Sequence, residues 1–323
     1  IEYMSNIEIE EGLNLNVCMD ARYVIPKKVK EFLPDIVISF GGNIFAGIKE
    51  QFRKFAGEFE HWLVQEDGRV VDLYKSTIFE CKPEYFFKYC VNVADENQTN
   101  DCEYYQGLKR YVDSVIYPDF PYSHVYAIKE VVEKIPADSV LHLSINDSIR
   151  ITNFFKLNPR IKTYANIGTH GIDGCLSSFL GQAATGNKQS YLVIGDLAFF
   201  YDMNAMRLRH IKNNVHILLI NNEGGSEFYF NHMWKDEASD LHTTARHHTK
   251  AEGWVKSNNF IYLSAHDKES MQEALKEFMR SDLEKPVFLE VFTEMKTDSD
   301  VIYDFFDLSR PKDVQSETIR KSK

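Results

Sequence analysis

The feature that most constrains the fold is a regular alternation of strand-length apolar runs with segments of helical period. Helix is expected over residues 123–135, strand over 139–144, helix over 148–155, strand over 161–165, helix over 173–185 and strand over 191–194. The rhythm continues with helix over 202–211, strand over 215–220, helix over 249–257, strand over 260–263, helix over 268–279 and strand over 287–291. Strands joined by crossover helices pack as a parallel sheet with helices on both faces, so a doubly wound α/β domain is expected. The chain has 323 residues, enough for two domains. Upstream, strand is expected over 35–40, helix over 44–55, strand over 61–66, a helix over 85–90 opened by Pro83, a polar loop over 95–101 and helix over 102–116. Pro118 and Pro121 interrupt the chain between the two patterns. We therefore expect a smaller, partial α/β domain over 1–118, the larger domain over 119–308 and a polar tail over 309–323.

Bulk chemistry excludes several functions. A net charge of -11 and a pI near 5.5 argue against nucleic acid as the main partner. The five cysteines are scattered and odd in number, without a C-x-x-C pair, which suggests neither a disulfide framework nor a zinc site and fits a reducing cytoplasm. Apolar stretches are strand-sized, and no charged-then-apolar leader opens the chain, so a soluble protein away from membranes is expected. Because the chain begins at Ile1, it is expected to be a piece of a longer protein.

In open α/β sheets, ligands gather beyond the carboxyl ends of strands. Two such places carry polar residues directly after an apolar run: Gly195-Asp196-Leu197-Ala198 and Asn221-Asn222-Glu223-Gly224-Gly225. If their strands are neighbours, the Asp196 carboxylate and the Asn222 amide oxygen converge as two hard ligands suited to Mg²⁺. Gly224 and Gly225 let backbone approach closely, offering a carbonyl to the metal and N–H groups to a diphosphate. Taken singly, Asp196 is equally an N-cap and the Asn-Gly segment an ordinary turn. Together they form a more specific pattern.

Gly-Asp, a crossover and Asn-Asn at a strand end resemble the signature of thiamine-diphosphate enzymes. Asn166-Ile167-Gly168-Thr169-His170-Gly171-Ile172-Asp173-Gly174 and Tyr201-Asp202-Met203-Asn204 resemble segments of one branch, the menaquinone-pathway synthases that couple 2-oxoglutarate to isochorismate. Residues 34–41 and 64–69 are similar to the central domain of that family. The resemblance implies thiamine diphosphate and Mg²⁺ as cofactors, with contacts from Gly171, Ile172, Asp173, Gly195, Asp196, Leu197, Ala198, Asn222, Gly224 and Gly225. It implies metal ligation by Asp196, Asn222 and the Gly224 carbonyl. Ile172 would be an apolar wedge under the cofactor, the alternative being plain core packing. The activity implied is that of a transferase or lyase: decarboxylation of a 2-oxoacid followed by carboligation to an acceptor, in a homodimer or larger assembly. The activating glutamate would lie on a pyrimidine-binding domain of another subunit, outside this chain, which alone would be silent.

The sequence departs from the family at Ile167, where an arginine that grips a substrate carboxylate is expected, and along residues 41–49, where only Lys49 offers a replacement. Arg150 resembles a second substrate arginine, against the alternative of a helix-surface arginine. The particular substrates are thus open. His242, His247 and His248 read as solvent-exposed capping residues, His170 could act in proton transfer although nothing in the sequence positions it against a substrate, and Phe228-Tyr229-Phe230 reads as core or interface. The rival readings are a non-catalytic cofactor-binding or assembly module, a simple 2-oxoacid decarboxylase, or a nucleotide-binding protein. Neither G-x-G-x-x-G after a strand nor G-x-x-x-x-G-K-[ST] supports the last.

Overall fold

The computed structural model describes residues 3–7, 12–19, 26–42, 48–67, 74–94, 102–168, 170–230 and 242–309. The chain divides into two compact units, one comprising residues 1–5, 11–116 and 306–323 and the other residues 6–10 and 117–305. Among the described residues, the first unit holds a parallel sheet of β1 (Ile36–Phe40), β2 (Glu60–Val64) and β3 (Thr77–Phe79), in that spatial order. Helix Pro83–Val93 begins at a proline, whose fixed φ suits a first helical position and whose missing N–H costs nothing there.

The second unit is built on a parallel sheet of β4 (Val140–Leu143), β5 (Lys162–Ala165), β6 (Ser190–Gly195), β7 (Val215–Asn221), β8 (Ile261–Ala265) and β9 (Val287–Phe292). The spatial order is β5-β4-β6-β7-β9-β8. β7 is buried along its whole length, which is why its sequence reads as an unbroken apolar run rather than an alternation. One sheet face, through Leu192, Ile194, Ile217 and Leu219, packs on Leu176, Phe179, Phe199 and Val255 from helices Cys175–Thr185, Asp196–Asp202 and Glu252–Ser257. On the other face the Tyr191 ring lies edge-on to Phe278 of helix Lys268–Phe278, their centroids 6.3 Å apart. The doubly wound α/β expectation is met.

Local chemistry sets the helix ends. Ser123 Oγ accepts from Tyr126 N at the start of helix His124–Val132. Asp267 and Ser270 form a reciprocal capping box before helix Lys268–Phe278. The helix expected over 202–211 requires correction, because helix begins at Asp196 and ends at Asp202, followed by a 3-10 turn Met203–Arg207. At the end of that helix the Asp202 carboxylate accepts from Ser177 N at 2.7 Å and Ser177 Oγ at 2.8 Å. β3 and helix Met295–Ser309 have no counterpart in the sequence expectations. Expectations for residues 43–47, 68–69 and 95–101, for Thr169 and for the tail beyond Ser309 lie outside the described residues. Among the described residues no helix is long and apolar enough to cross a membrane.

Candidate functional site

The chain moves from β4 outward to β5, then crosses back to β6 on the other side, so the sheet order reverses between β4 and β6. Such a reversal leaves a crevice at the carboxyl ends of the strands, where neighbouring loops diverge. A cavity of about 340 Å³ occupies this place, lined by residues that follow β4, β6 and β7.

On its β6 and β7 side the two candidate motifs meet. Asp196 is buried, and its Oδ1 accepts from Leu197 N at 2.6 Å while Oδ2 accepts from Gly224 N at 2.9 Å. Asp196 is the first residue of its helix, not the N-cap, which is Gly195, and its carboxylate faces the second motif. Asn222 is buried too, and its Nδ2 donates to Asp298 Oδ2 at 2.9 Å. Asp298 stays ionised: burial favours its neutral form, but His124, Thr293 and Asn222 outweigh that and hold it below the ordinary carboxylate range. A carboxylate only accepts, so this contact fixes the amide orientation and leaves the Asn222 oxygen as the opposite pole. Gly224 has φ +153°, and a Cβ there would lie 2.7 Å from Thr244 O and 2.8 Å from Met295 Cε. No other residue fits this turn without displacement. Carboxylate, amide oxygen and a glycine turn beside one cavity form a donor set that fits a hard divalent cation and the phosphates such a cation carries.

Gly195, Leu197, Ala198, Gly225 and Ile172 also line the cavity. Ile172 packs at the same time against the core cluster, so both of its expected roles are compatible with its place. Gly171 and Asp173 flank it; the Asp173 carbonyl accepts from Asn166 Nδ2 at 3.0 Å. Lys49 belongs to the first unit, on helix Ile48–Arg53.

On the β4 side the wall is charged. Arg150 is no surface arginine, being 8% exposed. Its guanidinium forks onto Glu227, with Nη2 3.2 Å from Oε1 and Nη1 on Oε2, and Nη1 also donates to Asp147 Oδ1 at 2.8 Å. Asp147 Oδ2 accepts from Ser226 Oγ at 2.8 Å and lies 3.8 Å from His124 Nε2. Burial, and then the neighbouring Glu227 carboxylate, push the Asp147 carboxyl up to about 6. Burial lowers His124, but Asp298, 3.3 Å from its Nδ1, and Asp147 raise it more, so its net shift is upward.

The chain is 34% identical over 286 residues to the 2-succinyl-5-enolpyruvyl-6-hydroxy-3-cyclohexene-1-carboxylate synthase of Bacteroides fragilis, covering 87% of this chain and 51% of that protein. It is 33% identical over 288 residues to the synthase of the same name from Phocaeicola vulgatus, and 31% identical over 282 residues to that of Flavobacterium psychrophilum. This chain is homologous to these synthases. It spans about half the length of the relatives it matches. No family model matches.

Within this synthase homologue, several residues around the cavity escaped the sequence reading. His247 was assigned to solvent, yet its Nε2 stands 3.3 Å from Asp196 Oδ2, and that carboxylate raises it above the ordinary imidazole range. His248 is exposed as expected, 3.0 Å from Glu223. Phe228 is not core: it is 43% exposed and lines the cavity. Glu227 and Asp147 stand beside recognised motifs and were legible as neighbours, though not as partners of Arg150. Asp298 had no local signal at all, since it sits on a helix that periodicity did not reveal.

Proposed function

We propose that the second unit binds thiamine diphosphate through Mg²⁺, with Asp196 and Asn222 giving side-chain oxygens and Gly224 its carbonyl. The observation that carries this reading is the meeting of Asp196 with Gly224 at 2.9 Å, beside an Asn222 amide oriented by Asp298, at the sheet's reversal point. The shared ancestry with the named synthases supports the same reading, as does the thiamine signature in the sequence. When bound, thiamine diphosphate supplies a carbanion-stabilising centre for cleavage next to a 2-oxoacid carbonyl. The chain's own residues bind and orient. Gly224 and Gly225 admit the diphosphate, Ile172 and Phe228 offer apolar surface to the rings, and the β4 wall holds the polar groups that meet the substrate.

For the whole protein, the reading is a 2-oxoacid decarboxylase and carboligase of the synthase type, acting in an assembly in which a pyrimidine-binding domain completes the site. Calorimetric titration with thiamine diphosphate, with and without Mg²⁺ and against ADP, tests the cofactor assignment. Mg²⁺-dependent binding that ADP does not displace is expected. Displacement by ADP would favour a nucleotide-binding protein instead.

A further inference from the structure

The two oxygens of the Asp196 carboxylate differ in their surroundings. Oδ1 accepts from Leu197 N, its neighbour in the chain, whereas Oδ2 accepts from Gly224 N at 2.9 Å and has His247 Nε2 at 3.3 Å. Asp196 lines the cavity and His247 does not; backbone pairing brings the imidazole to the carboxylate from outside. Gly225 N donates to Thr244 O at 2.7 Å and His247 N donates to Glu223 O at 3.0 Å, so residues 244–247 are strapped along the glycine loop. Two further contacts hold the ring. Thr249 N donates to its Nδ1 at 3.0 Å, and the Phe200 ring, from the same helix as Asp196, stands nearly perpendicular to it with centroids 5.3 Å apart. A ring nitrogen that accepts is bare, so the proton sits on Nε2. That atom is buried without another hydrogen-bond partner, and Asp196 Oδ2 is the acceptor at hand.

We propose that His247 is a positioning residue that holds Asp196 as a one-oxygen ligand and so sets the site's preference for Mg²⁺ over Ca²⁺. This rests on the reading of the unit as a cation-dependent thiamine-diphosphate site. A carboxylate oxygen has two lone pairs, and those of Oδ2 are taken by Gly224 N and His247 Nε2, which leaves the cation to Oδ1. Mg²⁺ demands a near-ideal octahedron of single oxygens, whereas Ca²⁺ readily takes both oxygens of one carboxylate into a larger and looser shell. Asn222 and the Gly224 carbonyl have one oxygen each to give, so Asp196 is the ligand through which the choice of cation stays open. A donor fixed on its second oxygen closes that choice.

The test is calorimetric titration of MgCl₂ and of CaCl₂ into the full chain with thiamine diphosphate present, for wild type, His247→Gln and His247→Phe. Phenylalanine keeps a ring against Phe200 and has no donor; glutamine keeps an N–H. In His247→Phe the ratio of Mg²⁺ to Ca²⁺ affinity is expected to fall by about tenfold or more, and in His247→Gln to stay near that of wild type. A role confined to packing would lower both affinities together and leave the ratio alone. An unchanged ratio in His247→Phe, or an equal fall in His247→Gln, overturns the proposal. Should His247→Phe fail to fold, nitrogen-15 NMR of the His247 ring in wild type without ligands decides: a proton on Nε2 and a bare Nδ1 are expected, and a proton on Nδ1 with a bare Nε2 overturns the proposal. If wild type binds neither cation with thiamine diphosphate, the cofactor reading falls and this proposal with it; an unchanged ratio beside normal wild-type binding removes this proposal alone.

Discussion

Gly224 carries more constraint than any other single residue of the site. Its backbone conformation excludes a side chain, its N–H is committed to Asp196, and Thr244 O and Met295 Cε stand where a Cβ would go. Gly224→Ala is expected to cost about 1–3 kcal/mol of stability and to weaken cation-dependent diphosphate binding by more than tenfold, read by denaturant unfolding and by titration. Glu290 is the structural counterpart. Wholly buried in β9, it accepts from Asn221 Nδ2 at 2.7 Å, Ala251 N at 3.0 Å and Tyr262 Oη at 2.7 Å. Glu290→Ala removes the acceptor of Ala251 N and Tyr262 Oη and one of the two acceptors of Asn221 Nδ2, and is expected to destabilise the second unit by about 3 kcal/mol or more, in the same unfolding assay. Neither loss of stability depends on a ligand.

At the scale of elements, the strands of the second unit were the most legible part. Each is a compact apolar run in a sheet covered on both sides, so burial writes itself directly into composition. Helix ends were less so. Asp202 lies in a segment that resembles a family motif, yet its work is to satisfy Ser177 N and Oγ in the first turn of helix Cys175–Thr185, a contact between residues 25 apart. Asp202→Ala is accordingly expected to lower stability by about 1–2 kcal/mol while leaving diphosphate affinity nearly unchanged. Loss of affinity without loss of stability would place Asp202 in the site instead. Helix Met295–Ser309 was missed because its polar first turn conceals a buried Asp298, which earns its place through Asn222, Thr293 and His124 rather than through any periodic pattern. Motif reading found Asp196 and Asn222 because strand-end polarity is local; it could not find Asp298 or the Arg150 pairs, which exist only once distant segments meet.

At the scale of the whole molecule, burial of histidines sets the acid limit. His142 and His216 lie in β4 and β7, and burial pushes both down to about 4 from 6.5. The unfolded chain therefore takes up protons before the folded one does, and the stability these residues supply at neutral pH is lost as pH falls from about 6.5 to 4. Asp147 acts in the opposite sense: raised to about 6 from 3.8, it gives up stability as pH rises through that interval. The two histidines outweigh it. Each is expected to remove about 2 kcal/mol between pH 7 and pH 5, and His216→Gln should reduce the fall seen by hydrogen exchange in β6 and β7. An unchanged pH profile in that variant would show that His216 takes up its proton without unfolding.

The central claim is that Asp196 and Asn222, brought together at the reversal point of the sheet, hold a divalent cation and through it a diphosphate cofactor. It is tested most directly by calorimetric titration of thiamine diphosphate, with and without Mg²⁺, into wild type and Asp196→Ala. Binding that requires Mg²⁺ and falls at least a hundredfold in the variant is the predicted result. Binding of equal strength without Mg²⁺, or undiminished by the loss of the Asp196 carboxylate, would contradict the account.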